Sequence, residues 1–300
     1  MFDRQRVFLG ITPTCWSNDD FQGEEELGSE IPFEQCVDEI AKAGFQGCSI
    51  GHKFPKNADK LVHELSRRQL RVSEPWVSTF FTEPDKYEQT LAEFRQRMKF
   101  VKKVGGQDIG VAEFGNSIHL DPDADLVERK PRFTDSQWDD LAAGLNTLGN
   151  LATSEGMRLC YHPHMGTGVQ THDEVDRLMQ ATNDNVHLLL DTGHLTWAGA
   201  RVARLIRDHA YRIPHVHLKN IREEPISSGK YRSFYEYVKG GVFTVPGDTG
   251  IVDFPTILRE LDREGFTGWL VVEAEQGLDQ GEPLDFARRA RQYLRAVTGL

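Results

Sequence analysis

Short apolar runs alternate with longer amphipathic segments along nearly the whole chain. Eight runs have the length and make-up of buried strands: 7–12, 47–51, 70–77, 108–114, 158–164, 186–191, 215–219 and 269–274. Between them the period turns helical. Segment 31–43 places Phe33, Val37, Ile40 and Ala41 on one face, and 58–68 does the same with Leu61, Val62 and Leu65. Segments 86–104 and 138–154 are long and helical in pattern. Segment 171–179 opens on Thr171 with Glu174 three places on, the spacing of a capping box. Segments 202–209, 255–263 and 284–297 complete the set. Gly44, Gly105-Gly106, Gly156 and Gly265 stand where a left-handed residue would end a helix.

Eight strands interleaved with eight helices predict a parallel sheet. In 300 residues they fit a closed (β/α)8 barrel, an α/β fold of the TIM type. A doubly wound open sheet is the alternative; no G-x-G-x-x-G follows the first run, which counts against its dinucleotide-binding form. No internal repeat, low-complexity stretch or linker interrupts the pattern, so one barrel domain over 1–300 is expected. Segment 221–253 has little regular pattern. A long βα loop after the seventh strand lies on the catalytic face of such a barrel, as a lid, a site wall or an oligomer contact.

Composition narrows the partners. Lys and Arg total 35 against 46 Asp and Glu, a net charge of −11, which argues against a nucleic-acid surface. No apolar run approaches the roughly 20 residues of a membrane span, and the first residues lack the pattern of a secretory signal. A cytoplasmic protein is expected. Cys15, Cys36, Cys48 and Cys160 are scattered without C-x-x-C spacing, as reduced thiols are, and suggest no thiolate metal site.

The candidate chemistry lies where histidines and acids fall. His162-Pro163-His164, Asp191-Thr192-Gly193-His194, His215-Val216-His217 and Glu273-Ala274-Glu275 sit at the ends of four successive predicted strands. Side chains alternate along a strand, so an H-x-H pair puts both rings on one face. Each cluster alone has an ordinary reading: Asp191 as a turn cap, Glu273 as half of an ion pair, His162 as a satisfied core histidine. Together they can converge on one divalent ion, for which imidazole and carboxylate are suitable ligands. Neighbouring strand ends carry Trp16, Asn18 and Asp19, then His52 and Lys53, Glu74 and Trp76, and Glu113 and Asn116. Lys219 shares a face with His217. Of these, Trp16, Lys53, Glu113 and Lys219 are the candidates for binding a hydroxylated substrate.

Segments 16–20, 51–55, 161–171, 188–195, 215–219, 241–248 and 269–276, spanning the first strand to the last, resemble the xylose-isomerase-like barrel superfamily of sugar isomerases, epimerases and dehydratases. Within it the likeness is closest to the inosose dehydratase family. The resemblance implies a divalent metal, Mn or Co first, with Zn, Fe or Mg as alternatives. Asp191, His217 and Glu273 match its Asp, His and Glu ligands. His162 stands where the superfamily usually has a Glu, a departure, and His194 matches a substrate-contacting histidine. The implied activity is a hydro-lyase of inositol catabolism that dehydrates 2-keto-myo-inositol through an enediolate. Glu273 is the candidate base, with Glu113 in reserve. His164 or His194 is the candidate acid, His164 preferred. The implied partner is a small polyol or cyclitol, and a homo-dimer or tetramer is expected. The rival on the same scaffold is a ketose isomerase or epimerase.

Overall fold

The computed structural model describes residues 2–18, 20–21 and 31–300; Asp19 lies outside the described residues. The strands in chain order are β1 (Val7–Ile11), β2 (Gly47–Cys48), β3 (Arg71–Val72), β4 (Trp76–Thr79), β5 (Asp108–Glu113), β6 (Arg158–Tyr161), β7 (Val186–Asp191), β8 (His215–Leu218), β9 (Asn220–Ile221), β10 (Phe243–Thr244) and β11 (Gly268–Val272). Nine of them form one parallel sheet in the order β3-β2-β1-β11-β8-β7-β6-β5-β4.

The two edges of that sheet, β3 and β4, are halves of one run, the expected strand 70–77. It is interrupted at Pro75, which has no N–H for a ladder. Carbonyls carry the pairing across the gap. The Ile50 N–H donates to the Glu74 carbonyl at 3.0 Å, and the Gly110 N–H donates to the Pro75 carbonyl at 3.1 Å. The ring therefore closes as an eight-stranded barrel, each expected strand in its place.

Eight longer helices cover the ring: Phe33–Ala43, Ala58–Ser66, Tyr87–Lys103, Asp135–Ser154, His172–Ala181, Val202–His209, Phe254–Arg263 and Pro283–Thr298. Their buried residues repeat at helical spacing; Phe33, Cys36, Val37 and Ile40 of the first face the strands. The Thr171–Glu174 capping box forms as expected, and a second one, Thr134 with Gln137, starts the 135–154 helix. Gly44 ends its helix at φ 89°, a conformation that would strain any residue with a Cβ. No helix among the described residues is long and apolar enough to cross a membrane.

Segment 221–253 is more ordered than its hydrophobic pattern suggests. β9 and β10 pair antiparallel, short helices span Glu223–Ser227 and Phe234–Lys239, and Ser233 and Glu236 form a third capping box. These elements have two, five and six residues, too few for a period to show in sequence.

At the mouth, the buried Glu113 at the end of β5 acts as a bracket. Its carboxylate accepts from Thr79 Oγ1 (2.8 Å), Phe81 N (3.0 Å), Thr82 N (3.1 Å), Thr82 Oγ1 (2.9 Å) and Gly115 N (3.2 Å). It ties the loop after β4 to the turn after β5. An amide at this place turns an NH2 toward donors. Glu113→Gln is therefore expected to lower unfolding free energy by about 3 kcal/mol in urea titration; a loss under about 1 kcal/mol would contradict the bracket.

Candidate metal centre and cavity

Four groups converge at the carboxyl ends of adjacent barrel strands. His162 follows β6, Asp191 ends β7, His217 lies in β8 and Glu273 follows β11. Parallel register aligns Asp191 with His217, and His217 with Val271, two residues before Glu273. One ligand atom from each of the four lies within 4.8 Å of the others, and all four residues are buried. His162 Nε2 is 3.3 Å from Asp191 Oδ2; His217 Nδ1 is 2.9 Å from Glu273 Oε2 and 3.8 Å from Asp191 Oδ2. Asp191 is at once strand end and helix cap. Its Oδ1 accepts the His194 N–H at 2.7 Å, starting the helix Thr192–Trp197, while Oδ2 stays turned to the cluster.

Beneath the four runs a buried support. His217 Nε2 lies 3.2 Å from Glu74 Oε1, so Nδ1 is the nitrogen presented to the cluster. Glu74 Oε2 is 3.2 Å from His215 Nε2, and His215 Nδ1 is 2.9 Å from Asp108 Oδ2. The Arg158 Nε–H donates to Asp108 Oδ1 at 2.6 Å. Lys219 Nζ stands 3.0 Å from Glu273, 3.5 Å from Glu275 and 3.7 Å from Asp191.

Charge follows geometry. Burial disfavours a charged His217, yet the carboxylates of Glu273 and Glu74 outweigh it and raise its pKa to about 10. Burial pushes Glu74 up, and His215 and His217 more than reverse this, to about 2. Burial likewise opposes ionisation of Glu273, but Lys219 and His217 hold it well below the usual carboxylate range. A site that keeps a proton on an imidazole among ionised carboxylates favours positive charge. The donor set, two carboxylates and two imidazoles, fits a divalent cation. His162 Nδ1 is also buried without a partner.

A cavity of about 980 Å³ opens onto the centre. Trp76, His162, His164, His217, Glu273 and Glu275 are among its walls. The expected substrate groups distribute unevenly. Trp16 is fully buried, its Nε1–H donating to Glu39 Oε2 at 2.7 Å, and it is not on the wall. Glu113 is off the wall too, its carboxylate saturated by its own chain, which removes it as a substrate ligand or reserve base. Lys53 is half-buried; its neighbours His52 and Phe54 line the cavity and it does not. Lys219 sits behind the centre, its Nζ 2.9 Å from His194 Nε2.

His164 lines the cavity, but in a form unlike the expected acid. Its Nδ1–H donates to the Met165 carbonyl at 2.7 Å, which leaves Nε2 as a lone pair, and burial lowers its pKa well below the ordinary histidine value. In that tautomer it accepts hydrogen bonds. Segment 221–253 adds no residue to the cavity wall and packs behind it instead. The buried Phe234 lies 5.2 Å from the His164 ring and stacks at 27° over His194. Sequence reasoning missed His119 and Asp108. His119 is a histidine in a βα loop of the catalytic face, a signal present in the sequence; Asp108 begins its strand and nothing local marked it.

Residues 37–297 match the family model of the xylose isomerase-like TIM barrel, and the chain belongs to that family. A solved structure of the IOLI protein with a zinc atom superposes at TM-score 0.73 and 15% identity, over 97% of this chain and 98% of that one, a likeness of fold. Within the family the chain groups with the inosose dehydratases and is a dehydratase, a hydro-lyase. It is 45% identical over 303 residues to the inosose dehydratase of Geobacillus thermodenitrificans, and 43% identical over 302 residues to that of Clostridium beijerinckii, each match covering 100% of both chains.

A metal entering at His217 Nδ1 must expel the proton held there. Apparent affinity should therefore rise with pH through neutrality and level off above the pKa of about 10. Calorimetry at pH 7 in buffers of differing ionisation enthalpy should read about one proton released per metal bound. Binding without proton release would contradict the assignment of His217.

Proposed function

We propose that this enzyme removes water from 2-keto-myo-inositol (inosose), a cyclohexanone carrying five hydroxyls, to give a trihydroxycyclohexanedione. The observation that carries this reading is the buried His162–Asp191–His217–Glu273 centre at the head of the cavity, in a chain alike over its full length to inosose dehydratases. A divalent metal held by those four, Mn or Co before Zn, Fe or Mg, would supply positive charge against the enediolate as it forms. The zinc atom of the IOLI structure supports a metal on this scaffold.

The chain's own groups divide the proton work. The carbon next to the ketone loses its proton, the C–O bond at the following carbon breaks, and the hydroxyl leaves with a second proton as water. The first carbon also bears a hydroxyl, so the new double bond is the enol of a diketone, which tautomerises. Glu273 takes the first proton in this reading; Lys219 at 3.0 Å keeps its carboxylate ionised, the form that accepts one. His164, with its lone pair toward the cavity, is assigned to hold a substrate hydroxyl. Proton delivery falls to Glu275, a wall carboxyl whose buried Oε2 has no partner and whose Oε1 lies 3.5 Å from Lys219 Nζ. His194, its Nε2 on Lys219, positions that ammonium. Phe234 packs behind the His164 and His194 rings and holds them in place. The four buried cysteines form no disulfide with one another, which accords with a cytoplasmic setting.

Asp191→Ala and His217→Ala should each lose bound metal and at least about a thousandfold in kcat/KM. Product analysis by mass and NMR should show loss of one water from 2-keto-myo-inositol. An isomer of unchanged mass would overturn dehydration in favour of epimerisation, and full turnover after exhaustive chelation would overturn the metal.

A further inference from the structure

One imidazole on the cavity wall is used neither by the metal centre nor by the proton-transfer groups. His119 lies in the loop after β5, is 2% exposed and lines the cavity. Its ring is held from three sides. Phe114 lies 4.0 Å away between centroids at a 36° tilt, His164 meets it edge-on at 5.4 Å, and Phe234 stands at 6.3 Å. The backbone is set as firmly: the neighbouring Ile118 N–H donates to the Gly166 carbonyl at 2.9 Å. A Cβ at Gly166 would come within 3.1 Å of His119 Cβ. Nδ1 lies 3.1 Å from Ser117 Oγ, while Nε2 is buried with no hydrogen-bond partner. A polar atom withdrawn from water and left unpaired is unfavourable, and one on the wall of a ligand cavity is satisfied when the ligand arrives.

The surroundings select the ligand's chemistry. Burial lowers the pKa of His119 to about 4, so the ring is neutral near pH 7 and offers no charge to an anion. A serine hydroxyl on Nδ1 donates or accepts, so both tautomers are open. A ligand hydroxyl, itself donor and acceptor, satisfies Nε2 in either. Position adds the rest. His164 lies between the two ends of the wall, 5.7 Å from the His162 ring and 5.4 Å from the His119 ring. A carbocycle with one edge at the metal centre turns its opposite edge toward His119.

We propose that His119 is a specificity-determining residue, its Nε2 hydrogen-bonded to the cyclitol hydroxyl most remote from the metal centre. The proposal rests on the reading of the substrate as a polyhydroxylated cyclohexanone and assigns one of its hydroxyls to a residue outside the metal centre. A merely space-filling ring would need neither the open nitrogen nor its place on the wall.

His119→Phe keeps a ring among Phe114 and Phe234 and removes both nitrogens. Metal content and Tm should stay at wild-type values, KM for 2-keto-myo-inositol should rise about tenfold or more, and kcat should hold within about threefold. His119→Gln, which returns an amide to the position, should recover most of the KM and serves if the phenylalanine variant does not fold. Monodeoxy inososes give the readout that packing alone would not move. Wild type should lose about tenfold or more in kcat/KM at one remote position, and His119→Phe should lose nothing further with that compound. Unchanged KM in both variants, or equal discrimination by variant and wild type at every position, overturns the proposal. A wild-type enzyme that leaves 2-keto-myo-inositol untouched would instead overturn the substrate reading. The proposal then stands or falls on NMR of isotope-labelled histidine with myo-inositol as probe. A shift of the Nε2 resonance that is missing from the variant spectra supports it, and no shift overturns it.

Discussion

The structure is organised around the burial of carboxylates at one end of a closed ring of strands. Asp191 and Glu273 are withdrawn from water within 4.8 Å of one another, and Glu74 is buried on the far side of the His217 ring, an arrangement that repels itself unless positive charge is built in. Two sources supply it. Lys219 stands behind the centre as a permanent cation, and His217 holds a proton between Glu273 and Glu74. The lysine belongs to the fold, while the proton can be exchanged for a metal. That difference makes the region a site as well as a structural knot.

The barrel separates fixed parts from adjustable ones. The centre is carried on strand ends, where ladder hydrogen bonds and parallel register set side-chain positions most tightly. Its support reaches down the strands, through Glu74 and His215 to Asp108 and the partly exposed Arg158 at the other end. Two further wall residues come from loops, His119 after β5 and His164 after β6, and Phe234 of the excursion after β8 packs behind their rings. These loops hold one another as well. The Leu126 N–H donates to the Arg232 carbonyl at 2.8 Å, joining the segment after β5 to that excursion. Specificity can thus change in the loops while the centre stays put, the usual division of labour on this scaffold.

Legibility from sequence tracked the length scale of each feature. The strands and long helices were readable because burial on a ring imposes a run or a period over many residues, as in 186–191 or 33–43. The break at Pro75 was visible as a residue, yet that the run spans it depends on carbonyl bonds to Ile50 and Gly110 in other units. The elements of 221–253 escaped because each is shorter than a period. Among site residues, the four of the centre announced themselves through type and position at strand ends. Glu113 and Trp16 matched the same rule but are consumed by contacts within the chain, and only their partners reveal it.

The sequence by itself determined the alternation of strand and helix, the closure into eight units and the end of the ring where acids and imidazoles gather. These follow from burial and periodicity, which act locally and repeat. Tertiary structure alone decided which nitrogen of His217 and of His164 faces the cavity, whether a carboxylate is free or already bonded, and that His119 stands on the cavity wall with Phe234 packed behind it. Those outcomes turn on distances of about one hydrogen bond between residues tens of positions apart. Such distances exist only once the chain has closed on itself.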